Sequence, residues 1–429
     1  MAIISGWGEA FIAVVAAETA VRFWLASRQI GAVRANRERV PERFSGEIAL
    51  EDQRRAADYT VARAKFSRMR LFFDAVVTLA VTVGGGLAAL QAAVGSLGWS
   101  EPWQGMLIVL CVFLLLDLLS LPFALWQIFR IEARFGFNRT TPGLFALDLV
   151  RQLALTAALG GPLLLATLAL MMHFGGWWWL WVWLLWQAAT VALTWAAPRY
   201  LAPLFNRFSP LANAGLEKRI ASLLERCGYA AQGGVYVMDG SRRSAHGNAY
   251  FTGLGRNKRI VFFDTLLARV DEEEIEAVLA HELGHFKLRH VLQRLILSMG
   301  LSFIGLALLA AVAREPIFYA TFGIAMPSPA IALLLFAFIV PVLSFFATPV
   351  GSWWSRRQEY AADAFAARHA DPRKLIGALV KLYRDNASTL TPDSLHSAFY
   401  DSHPPATQRI ARLETLGKAY SSFRAGRAQ

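Results

Sequence analysis

Residues 105–129 read GMLIVLCVFLLLDLLSLPFALWQIF, 25 consecutive positions with one charged side chain, Asp117. At about 1.5 Å of rise per residue, such a run crosses the roughly 30 Å hydrocarbon layer of a bilayer as one α-helix, which satisfies its own backbone hydrogen bonds. Comparable runs lie near 6–26, 71–96, 152–174, 177–198, 292–313 and 328–350. The expectation is therefore an all-α polytopic membrane protein with seven transmembrane helices. Glu9, Glu18 and Arg22 interrupt the first run, for which an amphipathic helix lying in the interface is the alternative. Tryptophan crowds 177–186, and its preference for the interface can move that boundary by several residues.

Composition agrees. Of 429 residues, 55% are hydrophobic and only 17% charged, which excludes an ordinary soluble globular protein. The net charge of +12 does not imply nucleic acid, because the basic residues gather beside apolar runs, where they set topology and meet anionic lipid. Cys111 and Cys227 are far apart and offer neither a disulfide framework nor a CxxC metal pair. The N-terminus shows no basic leader region or small-residue cleavage site, so the first apolar run is expected to be retained.

Segment 27–70 carries ten Arg and one Lys, and short loops rich in Lys and Arg stay cytoplasmic. That places the N-terminus outside. Counting spans onward puts 130–151, 199–291 and 351–429 inside, and 97–104, 175–176 and 314–327 outside with a single Arg. Four regions follow: 1–198 with spans 1–5, a cytoplasmic segment 199–291, spans 6–7 over 292–350, and a cytoplasmic C-terminal segment 351–429. Within 199–291, residues 215–227 have helical apolar spacing and Val235 to Met238 reads as a strand. Asn248 to Thr252 and Arg259 to Phe263 flank the turn Gly253 to Asn257 and suggest a hairpin in a small sheet.

The chemistry is announced at Asp271, followed by Glu272, Glu273 and Glu274, an N-cap with a capping-box glutamate and negative charge at the positive end of a helix. That helix delivers His281-Glu282-Leu283-Gly284-His285. A four-residue spacing sets both imidazoles on one face, where they can bind one Zn²⁺, while Glu282 acts on water from the same turn. A catalytic zinc needs a third protein ligand. His290 does not fit, since Leu288 and Val291 stand where a metzincin has Gly and His; it is expected beside the ligands or facing lipid. Glu359, which shares a helix face with Asp363 in Ser355 to Ala366, is the better candidate, with one carboxylate as ligand and the other orienting a ligand histidine.

In these residues the chain resembles the type I CAAX prenyl endopeptidases, membrane-embedded zinc proteases. The likeness extends over Glu132 to Asn138 (EARFGFN), Pro203 to Asn206, Ser241 to Tyr250 (SRRSAHGNAY), Lys258 to Leu267, His281 to His290, Ser355 to Ala366 and Asp401 to Pro405 (DSHPP). The resemblance implies seven spans around an intramembrane chamber and a single Zn²⁺ held by His281, His285 and Glu359. It implies Glu282 as general base, Asp363 as the partner of a ligand histidine, and Asn248, Ala249 and Tyr250 as the edge that holds substrate backbone. It further implies His403 and Arg409 as the groups that stabilise the tetrahedral intermediate. An imidazole can donate to such an oxyanion. Phe286, where the family often has Trp, and Gln408, where an acid often precedes the arginine, are departures that leave the zinc chemistry untouched.

The expected partners are a peptide or protein substrate, prenylated in the CAAX case, and the bilayer; nucleic acid is not among them, and the sequence carries no signal for oligomeric state. Alanine richness points to a bacterial inner membrane. A quality-control protease of the heat-shock type is the rival within the class, and a transporter using Asp117 is the rival outside it.

Overall fold

The structure, a computed structural model, describes residues 6–229, 234–252 and 259–427. The expected turn at Gly253 to Asn257 lies outside the described residues.

Among the described residues, six helices are long and apolar enough to cross a membrane on their own: Gly6–Ala35 (α1), Trp103–Glu132, Pro142–His173, Gly175–Phe205, His290–Val312 and Pro329–His369. The remaining expected span, 71–96, is not straight. Leu50–Val81 (α2) stops at Thr82, and Gly86–Gly95 continues after a 49° bend. The break falls at Gly84-Gly85-Gly86, where Gly85 has φ of 84°, a conformation open to glycine and costly for other residues. The helices converge on a core of Val15, Leu87, Ile108, Leu168, Val182, Leu309 and Leu335. Most of their remaining apolar side chains point outward, such as Phe72 and Leu118, as they should where the solvent is lipid.

The last span does more than cross. Its helix Pro329–Ser344 passes through one tight turn at Phe345–Ala347 into Thr348–His369 (α4), which carries Glu359 and Asp363 beyond the apolar stretch. Sequence reading separated span and site helix; the structure makes them one 41-residue run.

The second core lies against a four-stranded sheet of order β1-β2-β4-β3. Strands Val235–Met238 (β2), Ala249–Thr252 (β3) and Arg259–Phe263 (β4) match expectation. Phe208–Pro210 (β1), antiparallel to β2, does not appear in the pattern because three residues with a terminal Pro show no alternation. Among the described residues, β3 pairs antiparallel with β4 alone, and its other edge is unpaired. Beneath the sheet, helix Glu272–Lys287 (α3) buries Ile275, Leu279 and Leu283 with Phe262, Leu223 and Leu379. The capping box closes as expected: Glu274 N donates to the Asp271 carboxylate and Asp271 N to the Glu274 carboxylate, both at 2.8 Å. Helix Pro372–Asp385 (α5) and helix Ala406–Arg427 (α6) complete this half.

Candidate active site

The HExxH helix α3 packs along α4, and the close approach is made at Gly284, whose absent Cβ would lie 3.1 Å from Ala362 Cα and Phe365 Cβ. That contact brings the two histidines to the carboxylates. His281 Nε2 and His285 Nε2 are 3.3 Å apart, His285 Nε2 is 3.2 Å from Glu359 Oε1, and His281 Nε2 is 3.4 Å from Glu359 Oε2. Donors bound tetrahedrally to zinc at 2.0–2.1 Å stand about 3.4 Å from one another, so the three side chains are spaced as that metal requires. Charge agrees with spacing. Glu359 is buried, and its Oε2 makes no hydrogen bond of good geometry among the described residues, although His403 Nδ1 stands 2.7 Å away. A buried carboxylate oxygen left so is costly unless a cation meets it.

Each histidine of the pair is aimed from behind. Asp363, fully buried, meets His281 Nδ1 at 2.9 Å, leaving Nε2 toward the metal position. Arg409 of α6 clamps Asp363 with two bonds, Nε to Oδ2 at 2.9 Å and an η-nitrogen to Oδ1 at 2.8 Å. Its fork is thus held by Asp363, and the same η-nitrogen lies 3.1 Å from His281 Nδ1, 3.2 Å from His281 Nε2 and 3.8 Å from Glu359 Oε2. His285 is backed by His290, Nδ1 to Nδ1 at 3.0 Å. His290 is buried beside the ligands and does not face lipid.

Burial and Arg409 both press the His281 imidazolium down, but the carboxylates of Asp363 and Glu359 outweigh them and hold the metal-free pKa up at about 9. Glu282 is half-buried on the same turn and makes no ion pair or hydrogen bond among the described residues, so its carboxylate is available as a base. His403 is exposed, at the loop before α6, with its ring turned to Glu359. Asn248 precedes β3; its carbonyl accepts from Phe263 N at 3.0 Å and its side chain from Ala249 N at 2.9 Å. Ala249 and Tyr250 lie in the open-edged strand, and the Tyr250 hydroxyl points to Met238 Sδ, away from solvent, with burial pushing its pKa up.

Two features escape sequence reading. Tyr383 of α5 lies against Arg409, and burial raises its pKa; a lone Tyr at a helical core position gives no signal. The segments EARFGFN and SRRSAHGNAY, 100 residues apart, meet around His246. Its ring stacks on Phe137 at 4.3 Å, while Tyr59 donates to both Glu132 oxygens at 2.9 and 2.8 Å. A cleft of ≈ 350 Å³ opens there, two residues before Asn248.

A histidine pair from one helix, a glutamate from a second, a further glutamate between the histidines and a neighbouring β-edge, all attached to membrane-spanning helices, define an integral-membrane metalloendopeptidase. Residues 29–207 match the family described as CAAX prenyl protease N-terminal, five membrane helices, and residues 210–416 match peptidase family M48. The chain is similar to CAAX prenyl protease 1 of Saccharomyces cerevisiae, 35% identical over 70% of each chain. It is also similar to the human CAAX prenyl protease 1 homolog, 33% identical over 74% of each. The crystal structure of S. mikatae Ste24p superposes with a TM-score of 0.88 at 30% identity, covering 95% of this chain and 99% of that one. The chain belongs to the CAAX prenyl protease 1 family of M48 membrane metalloproteases. These relatives are eukaryotic, and the bacterial source read from alanine richness is not borne out.

Proposed function

We propose that this membrane metalloendopeptidase hydrolyses peptide bonds near the C-terminus of prenylated CAAX-type proteins, using one zinc ion held by His281, His285 and Glu359. The observation that carries the metal is the spacing of 3.2 to 3.4 Å among the ligand atoms, with the orphaned Glu359 Oε2 facing them. When bound, zinc supplies a Lewis acid and water acidified toward neutrality. The chain's own residues do the rest. An extended substrate adds to the free edge of β3 through Asn248, Ala249 and Tyr250. Glu282 takes the proton of the attacking water and returns it to the leaving amine. His403 donates to the developing oxyanion. Asp363, clamped by Arg409, fixes the His281 ring, and Arg409 adds positive charge beside Glu359.

The division at 198/199, 291/292 and 350/351 serves this reading, with the catalytic residues confined to the second and fourth regions. The eleven cations of 27–70 support placing that side, the active site and the C-terminus in the cytoplasm. An intramembrane aqueous chamber is supported by the Arg70–Asp74 pair of α2, about half exposed among apolar helices.

The test is cleavage of a farnesylated CAAX peptide by zinc-loaded protein in detergent, beside the same peptide without lipid. Cutting of the farnesylated peptide alone is expected; equal cutting of both would replace the CAAX reading with that of a general membrane peptidase.

A further inference from the structure

Helices α1 and α2 leave between them a groove of ≈ 940 Å³, walled by Ala16, Thr19 and Phe23 on one side and Phe72, Val76 and Leu79 on the other. Side-chain direction shows which phase it opens to. Residues two apart on a helix lie about 200° apart, so Phe72 and Val76 look away from Arg70 and Asp74, whose 3.5 Å ion pair is about half exposed. An exposed ion pair within a spanning helix belongs in water. The opposite face, where Phe72 is 70% and Met69 55% exposed, therefore meets acyl chains.

One end of the groove is cationic. Lys65 and Arg68 close it, and neither forms an ion pair among the described residues. The nearest acid on α1, Glu18, is already committed to Arg22 at 2.8 Å. The Arg68 guanidinium sits 3.8 Å over the Phe23 ring, bridging the two helices, and its Nε is buried with no acceptor. Beyond this end, about 18 Å further along α1, the loop after α1 packs Phe44 and Ile48 on Val380 and Ile410 of the catalytic half.

We propose that the α1–α2 groove is a binding site for one anionic phospholipid of the leaflet on the catalytic side. An acyl chain lies along Ala16, Phe72 and Val76, and the headgroup phosphate is held by Lys65 and Arg68. An isoprenoid chain would fill the same apolar volume, but it brings no anion to Lys65 and the Arg68 guanidinium. A phosphodiester satisfies both.

The test uses the full-length, zinc-loaded protein in detergent, mixed with equal amounts of phosphatidylglycerol and phosphatidylcholine and examined by native mass spectrometry. Wild type is expected to retain phosphatidylglycerol several-fold over phosphatidylcholine. The double variant Lys65→Gln/Arg68→Gln should lose that preference, and Ala16→Trp, which places a ring in the groove from an exposed position, should lower phosphatidylglycerol retention. Equal retention of the two lipids by wild type, or a preference unchanged in both variants, overturns the proposal. So does a farnesylated peptide that displaces the lipid from wild type and no longer binds Ala16→Trp, which would assign the groove to the substrate's chain.

Discussion

Among the described residues, the polar side chains buried where the spanning helices pack on one another are neutral, such as Thr82, Gln91 and Thr167. Among the described residues, the buried carboxylates, imidazoles and guanidinium, Glu274, His281, His290, Glu359, Asp363, Asp393 and Arg409, sit in the catalytic half or at its boundary. The two cores rest on different physics. Membrane helices gain little by hiding apolar surface from equally apolar lipid, so their packing rests on shape and dispersion. The catalytic core does gain from burial, and uses that stability to hold charges that are tolerable only while each has its partner. Substitutions in the first core should change stability alone, whereas substitutions in the second should change chemistry, metal affinity and stability together.

The largest separation is expected at Glu282, where chemistry parts from metal binding. Glu282→Gln keeps the three proposed ligands and removes the proposed base, so zinc content should stay at one per chain while kcat falls about 10²- to 10⁴-fold. Zinc analysis beside peptide turnover decides it, and turnover near wild type would remove Glu282 from the mechanism. Asp363→Asn comes next. It loosens the hold on His281 and leaves Arg409 buried without its counter-charge. Zinc affinity should drop about 10- to 100-fold, with about 3–5 kcal/mol lost from the metal-free protein. Competition with a chelator and thermal unfolding in detergent measure the two effects.

The charged core also gives a pH signature that the apolar core lacks. In the metal-free protein His281 holds its proton up to about pH 9, above the ordinary value of 6.5. Its contribution to metal-free stability is therefore complete below about pH 6.5 and is lost as pH rises through about 9. Zinc must displace that proton, so affinity should rise with pH across the same interval, by up to about tenfold per unit for one proton. Affinity independent of pH between 6.5 and 9 would contradict the Asp363–His281–Glu359 arrangement.

The asymmetry between the cores also explains what the chain discloses unaided. Apolar runs such as 105–129 are legible because each span satisfies its backbone alone, and HExxH is legible because both imidazoles lie on one helix. The bend at Gly84 to Gly86 was missed, since a window over 71–96 averages composition across the break. Tyr383 was missed because a lone Tyr at a helical core position gives no signal, and the cluster of Tyr59, Glu132 and His246 because Tyr59 is 73 residues from Glu132, which is itself far from His246 in sequence. Glu359 was found through its spacing to Asp363, whereas the Arg409 clamp that makes Asp363 tolerable depends on α6 folding back over the site.

Two glycine substitutions sharpen the comparison at its smallest scale. Within a helix, Gly→Ala ordinarily stabilises by about 0.5–1 kcal/mol, because glycine loses more backbone freedom on folding. Gly300, in the sixth span, has nothing within 4 Å of where its Cβ would stand, so Gly300→Ala should follow that rule and leave zinc affinity unchanged. At Gly284 the same methyl meets Ala362 Cα and Phe365 Cβ at 3.1 Å and the Ala362 carbonyl oxygen at 3.2 Å. Two of these atoms are backbone, so α3 and α4 must part by a few tenths of an ångström. That shift acts directly on the 3.2–3.4 Å spacing between the histidines and Glu359. The propensity gain and the strain are of similar size, so the unfolding temperature should move by only a few degrees. Zinc affinity should nonetheless fall several-fold in Gly284→Ala. If chelator competition finds both variants as tight as wild type, the contact between α3 and α4 does not set the ligand geometry, and the catalytic core is as tolerant of shape changes as the membrane core.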